Sequence, residues 1–277
     1  MRVDLSLRAA LGVALAAPLL VTTGCKDREG STTAPLRVAA AADLAFAFKE
    51  LGDRYAKTTA RKVVLSFGST GLLEKQIADG APYDVFAAAN VSFADDAIAS
   101  GACVKSSKVL YATGRIVLYT AGGAALEAKS MADLADARVA RIAIANPDHA
   151  PYGQAARQAM QRAGIWEKVS HKLVYGENVQ QALQFAQSGN ADVAFVALSL
   201  ATVTPGEWTP VPPELYDRID QALVVCTRGS AGAAEGRRFT AFVSSTEGRS
   251  ILRRYGFLLP DESMAGAVPE KPGNTDP

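Results

Sequence analysis

The sequence predicts an α/β protein of two lobes, each a mostly parallel sheet flanked by helices. Three observations predict it. Strand and helix signals alternate along the chain, the pattern of parallel sheets with helical crossovers. They fall into two series of similar size, divided by an apolar stretch over residues 109–120. Each series also holds two junctions of one design, in which a strand runs into small or hydroxyl residues that open a helix.

In the first series, residues 36–41 read as a strand, followed by a helix with Leu44, Phe48, Leu51 and Tyr55 on one face. Residues 63–67 form the next strand, and Leu72, Leu73, Gln76 and Ile77 begin a helix that Gly80 ends. Residues 84–89 are a short apolar strand, followed by a helix through Ile98 that Gly101 stops. Residues 109–120 read as one long strand, broken only by Thr113-Gly114-Arg115. In the second series, 141–145 is a strand and 152–163 a helix closed by Gly164. Strand 172–175, helix 179–188 and strand 192–198 follow. Residues 222–226 give a last strand, and 234–255 read as one helical stretch. Glycine just past a helix suits the left-handed conformation that closes it.

The four junctions are Val38-Ala39-Ala40-Ala41-Ala42-Asp43-Leu44, Leu65-Ser66-Phe67-Gly68-Ser69-Thr70-Gly71-Leu72, Asn146-Pro147-Asp148-His149-Ala150-Pro151-Tyr152-Gly153 and Tyr175-Gly176-Glu177-Asn178-Val179-Gln180. None contains Lys or Arg. A helix N-terminus carries unsatisfied N–H groups and partial positive charge, so several converging on one cleft make an anion site. Such a site holds its anion by hydrogen bonds alone. That suits a protein that binds and releases rather than one that performs chemistry.

Arg2 and Arg8 precede an apolar run from Ala9 to Val21, too short to span a bilayer, which needs about 20 residues. Residues 1–24 read as a secretory signal peptide. The run ends in Leu20-Val21-Thr22-Thr23-Gly24-Cys25, which resembles the lipobox of bacterial lipoproteins and implies a lipid on Cys25. Ordinary cleavage near the same place is the alternative. Residues 25–34 are a polar tether, and 263–277 a Pro- and Gly-containing tail expected to be disordered.

The mature part, about 240 residues, is long enough for a large core. A net charge of +1 gives no basic field for nucleic acid. With two His, and with Cys103 and Cys226 as the only Cys beyond Cys25, no metal site is expected. The sequence leaves open whether Cys103 and Cys226 pair.

The chain also resembles the periplasmic molybdate-binding proteins of ABC uptake systems, within the type II solute-binding fold. The landmarks are Ala40-Ala41-Ala42-Asp43-Leu44, Phe67-Gly68-Ser69-Thr70-Gly71, Gly80-Ala81-Pro82-Tyr83-Asp84-Val85-Phe86, the junction around Pro151-Tyr152-Gly153, Glu177-Asn178-Val179, Phe195-Val196-Ala197-Leu198-Ser199 and Tyr255-Gly256-Phe257. The resemblance covers roughly residues 36–257. It implies no enzyme and no cofactor. It implies a periplasmic, monomeric protein that captures molybdate or tungstate between its lobes. A membrane permease with a cytoplasmic ATPase then receives the anion. It places residues 35–114 and 225–262 in lobe 1 and 115–224 in lobe 2. It implies an oxyanion site of Ala42, Asp43, Ser69, Thr70, Tyr152 and Val179, the last through its N–H. Where some members carry Ser in the first junction, this chain has Asp43. Where some carry Tyr in the last strand of lobe 2, it has Ala197, and Tyr152 stands to supply that phenol.

Each residue also has a plainer reading. Ser69 and Thr70 at a helix start are ordinary N-caps. So is Asp43, since an ionised carboxylate facing a dianion is repulsive. Tyr152 reads equally as a core aromatic, and His149 as a loop residue beside the site. Two other functions compete with molybdate capture. One is a binding protein for another oxyanion such as sulfate. The other is an α/β hydrolase with Ser69 as nucleophile and His149 as base, although Gly68-Ser69-Thr70-Gly71 lacks the spacing of a nucleophile elbow.

Overall fold

A computed structural model describes residues 34–124 and 126–264. The expected signal peptide, Cys25, the tether as far as Thr33 and the tail from residue 265 lie outside the described residues.

The first series builds β1 (Leu36–Ala41), α1 (Ala45–Thr59), β2 (Val63–Gly68), α2 (Thr70–Ala78), β3 (Val85–Ala88), α3 (Val91–Ala99) and β4 (Val109–Gly114). The second builds β5 (Ile116–Thr120), β6 (Ile142–Ala145), α4 (Pro151–Arg162), α5 (Trp166–Val169), β7 (Leu173–Gly176), α6 (Val179–Gln187), β8 (Val193–Ala197), α7 (Leu198–Ala201) and β9 (Glu207–Pro210). The chain then returns through β10 (Ile219–Val225), α8 (Ala233–Val243) and α9 (Thr246–Arg254).

Two five-stranded sheets result, in the orders β2-β1-β3-β10-β4 and β7-β6-β8-β5-β9. They repeat one plan. β1 pairs in parallel with β2 and β3, as β6 does with β7 and β8. The fourth strand of each sheet, β10 or β5, runs antiparallel to its neighbours. All four residues of β3, all four of β6 and all five of β8 are buried, as central strands covered on both faces must be. The core is Ala- and Val-rich along these strands. It gains bulk from Phe48, Tyr55 and Phe239, whose rings meet edge-on or tilted under α1 and α8.

Three expectations are corrected. The long strand over 109–120 is two strands in different sheets, because the chain crosses between lobes at Gly114-Arg115. Residues 219–224, expected in lobe 2, belong to the first sheet. There β10 pairs with β3 through Ala222–Val225 and with β4 from Ile219 onward. The helical stretch 234–255 is two helices, since Ser245 ends the run and caps α9 by accepting the Gly248 N–H at 3.2 Å. Cys103 and Cys226 form a disulfide that ties the segment before β4 to the end of β10, 123 residues on.

Candidate functional site

Beyond the carboxyl ends of β1 and β2 in one lobe and β6 and β7 in the other lies a single cavity, the place where open α/β sheets bind ligands. All four junctions line it: Ala42 and Asp43, Ser69 and Thr70, Pro151 and Tyr152, and Asn178 and Val179. Ala41, Gly68, Ala89 and Ala150 complete the wall. It holds about 190 Å³ of empty space, its open mouth included. No Lys or Arg lines it, and Asp43 is its one charged side chain.

Thr70 and Val179 are the first residues of α2 and α6, and Tyr152 the second of α4, so their N–H groups have no acceptor within their helices. The helix starts thus supply donors from both lobes. All six residues expected from the sequence come together here.

Their side chains, however, do not all act as expected. Of the junction residues, only Asn178 caps its helix, with Oδ1 accepting the N–H groups of Gln180 (3.0 Å) and Gln181 (3.1 Å). Ser69, at the N-cap of α2, makes no side-chain cap bond. Its hydroxyl instead crosses the cleft to His149, 2.7 Å from the carbonyl oxygen and 2.8 Å from Nδ1. The same carbonyl accepts the Gly71 N–H at 2.9 Å, so the start of α2 is clasped to the other lobe. Thr70 Oγ1 accepts the Ala89 N–H at 3.3 Å and keeps its hydroxyl proton to give.

Asp43 is not a cap either. It is 1% exposed, and its Oδ2 accepts Gln221 Nε2 at 2.6 Å and the Tyr152 phenol at 2.9 Å. Its Oδ1 has no hydrogen-bond partner. Burial pushes the carboxyl up to about 6, against the lowering effect of the Gln221 and Tyr152 hydrogen bonds and of its own backbone N–H. The Tyr152 phenol is therefore committed to Asp43 rather than pointed at a ligand. Burial, and then the Asp43 charge, raise it well above its ordinary value. Gly114, at the crossover, makes room for it: a Cβ there would collide with the phenol oxygen. Ser199 completes the contact between lobes by donating to the Asp43 carbonyl at 2.7 Å.

The approach of Ser69 to His149 is the geometry a hydrolase would need, but the proton count opposes it. The serine hydroxyl has one proton, and the carbonyl oxygen beside it can only accept. With the hydroxyl donating to the carbonyl, no serine proton is left for Nδ1 to take in this arrangement.

Gln221 was not singled out from the sequence, while Ser199 stood in a family landmark and Gly114 at a break in the apolar run without a part in the site. Gln221 follows Asp220 in β10 and is fully buried, which only the extension of that strand to Ile219 reveals.

Two α/β lobes that meet across a cavity walled by helix starts and hydroxyls define a two-lobed binding protein for a small anion. A family model of bacterial extracellular solute-binding proteins matches residues 36–258. The chain belongs to that family. The molybdate-binding protein ModA of Rhodobacter capsulatus is 36% identical over 222 residues, covering 79% of this chain and 86% of that protein. ModA of Azotobacter vinelandii is 34% identical over 253 residues, covering 90% and 97%. The solved structure of the Azotobacter vinelandii periplasmic molybdate-binding protein superposes with a TM-score of 0.75 at 31% identity, covering 81% of this chain and 99% of that one.

Proposed function

We propose that this protein captures molybdate, and tungstate with it, between its lobes and delivers it to the permease of an ABC transporter. The carrying observation is the convergence of helix starts from both lobes on one cavity without a cation. The likeness to two ModA proteins along most of their length supports the choice of anion. The protein acts by binding, not by catalysis. Donors from Ala42, Ser69, Thr70, Tyr152 and Val179 surround the dianion, backbone N–H groups providing most of them. To give its proton to the anion, Ser69 turns its hydroxyl from the His149 carbonyl. Closure brings the two sets of donors together, and the closed form is what the permease recognises.

Sulfate has the same shape and charge but is smaller. Donors spaced for the longer metal–oxygen bond would meet it with stretched hydrogen bonds, each worth about 1.5–3 kcal/mol when made to a charged partner. Ligand at about 1,000 times its Kd adds roughly 4 kcal/mol of stability. Molybdate and tungstate are therefore expected to raise Tm strongly, and sulfate and phosphate at equal concentration far less. Equal shifts with sulfate would reassign the protein to another oxyanion.

The working place is the periplasm, where a disulfide such as Cys103–Cys226 persists. No helix among the described residues is long and apolar enough to cross a membrane. Attachment rests on a lipid at Cys25, and the protein works as a monomer. Cys25→Ser is expected to move it from the membrane fraction to the soluble periplasm. A wild-type protein found wholly in the soluble fraction would refute the anchor.

A further inference from the structure

We propose that Asp43 meets the oxyanion as a neutral carboxylic acid, one proton lying between its Oδ1 and an oxygen of the bound dianion, so that capture takes up a proton. This deepens the oxyanion reading above and rests on it.

The geometry distinguishes the two carboxyl oxygens. Oδ2 receives the two side-chain donors in reach, Gln221 Nε2 and the Tyr152 phenol. The direction of the Gln221 amide is fixed from behind, because its Oε1 accepts the Tyr111 phenol at 2.7 Å and its Nε2 must then face Asp43. Oδ1 is buried without a partner, on a residue that lines the anion cavity. Ionised, Asp43 would set an unsatisfied anionic oxygen against a dianion. Protonated on Oδ1, it becomes a donor, as the rest of the cavity is, and Oδ2 keeps both its bonds.

The surroundings favour the neutral form. Tyr111 faces Asp43 from β4, Tyr152 from α4 and Gln221 from β10, while Ser199 of α7 is bound to its carbonyl. None of these is cationic. Tyr216 and Arg115 interact electrostatically with the Tyr152 phenol. His149 is engaged with Ser69. The two phenols have been pushed upward by burial, so neither yields a proton at neutral pH. Burial already pushes the Asp43 carboxyl up to about 6, and an arriving dianion raises it further by like charge. Above neutral pH the balance is therefore one ionised Asp43, one dianion and one proton from solvent combining into a complex that holds all three.

Titration calorimetry with sodium molybdate in two buffers of different ionisation enthalpy tests this. At pH 8 the wild-type protein is expected to take up close to one proton per molybdate, with Kd weakening about tenfold per pH unit from pH 7 to 9. Asp43→Asn places an amide donor where Oδ1–H stood. It should bind with no uptake and with an affinity nearly flat in pH. Wild-type binding without uptake would overturn the inference while leaving molybdate capture intact. So would an Asn variant with the wild-type slope, which would place the proton elsewhere. Absence of molybdate heat from the wild type throughout this range would overturn the functional reading, and this inference with it. The wild-type uptake decides the matter even if the variant does not fold.

Discussion

Asn178 and Ser69 stand at the same point of two similar junctions, one in each lobe, and spend their side chains in opposite ways. Asn178 turns inward and caps its own helix. Ser69 leaves its helix uncapped and reaches across the cleft to His149. Asp43, in the same lobe as Ser69, likewise sends its carboxylate to Tyr152 of the opposite lobe and to Gln221. The second lobe therefore brings a junction complete in itself. Ser69 and Asp43 of the first lobe complete their bonding only once the lobes have met, at His149 and at Tyr152. A side chain that caps stabilises the fold, and one that does not is available to couple closure to the anion.

The largest test of this contrast is the unsatisfied member, Asp43. Its folded carboxyl titrates at about 6 against an ordinary 3.8, so the folded protein holds the proton more tightly than the unfolded chain. That contribution to stability is fully present below about pH 4 and is lost as pH rises through about 6. Relative to Asp43→Asn, ligand-free wild type is expected to lose roughly 3 kcal/mol between pH 4 and pH 7. Urea unfolding of both proteins across that range measures it. Parallel profiles would mean that Asp43 is as comfortable ionised as Asn178 is neutral, and the contrast would fail there.

Next come the hydroxyls. Ser69→Ala and Thr70→Ala each remove a donor to a buried charge, worth about 1.5–3 kcal/mol of binding, or roughly 10- to 150-fold in Kd. Ser69→Ala also removes the clasp on His149. Calorimetry should show binding falling by more than ligand-free stability does. Two variants that bind molybdate as wild type does, yet unfold more easily, would make these residues supports of the fold after all.

Much of this was legible beforehand. The strand and helix signals placed β1, β2, β6, α4 and α6 nearly to the residue, because each is bounded by a turn of small or polar residues. The four junctions stood out because they share one design, and the six residues expected within them came from the resemblance to molybdate-binding proteins. What the sequence concealed is pairing at a distance. An Asp, Ser or Thr at a helix start reads as a cap, since local bonds are the ones a sequence can show. Asp43 bonds Gln221 178 residues away, and Ser69 bonds His149 80 residues away. The interruption at Gly114-Arg115 was visible, and the resemblance set the lobe boundary there; what the apolar run hid is that its two halves are strands of different sheets.

The smallest expected effect is at Asn178, and it falls on the opposite quantity. Removing a helix cap costs about 0.5–2 kcal/mol. For a chain of this size that is a fall in Tm of some ~2–4 °C per kcal/mol. The N–H of Val179, a residue that lines the cavity, is not one that Asn178 accepts, so it survives the substitution. Asn178→Ala should therefore lower Tm in the absence of ligand while changing molybdate affinity less than Ser69→Ala or Thr70→Ala does. Some loss of affinity is expected, because a frayed first turn no longer holds that N–H in place. Asn178→Asp keeps the cap and should restore Tm, but it adds a carboxylate to the cavity wall and should weaken binding. Loss of stability with Ala and loss of affinity with Asp would separate capping from anion binding at one position. If Asn178→Ala instead abolishes binding at unchanged Tm, Asn178 holds the anion directly, and the two junctions are alike after all.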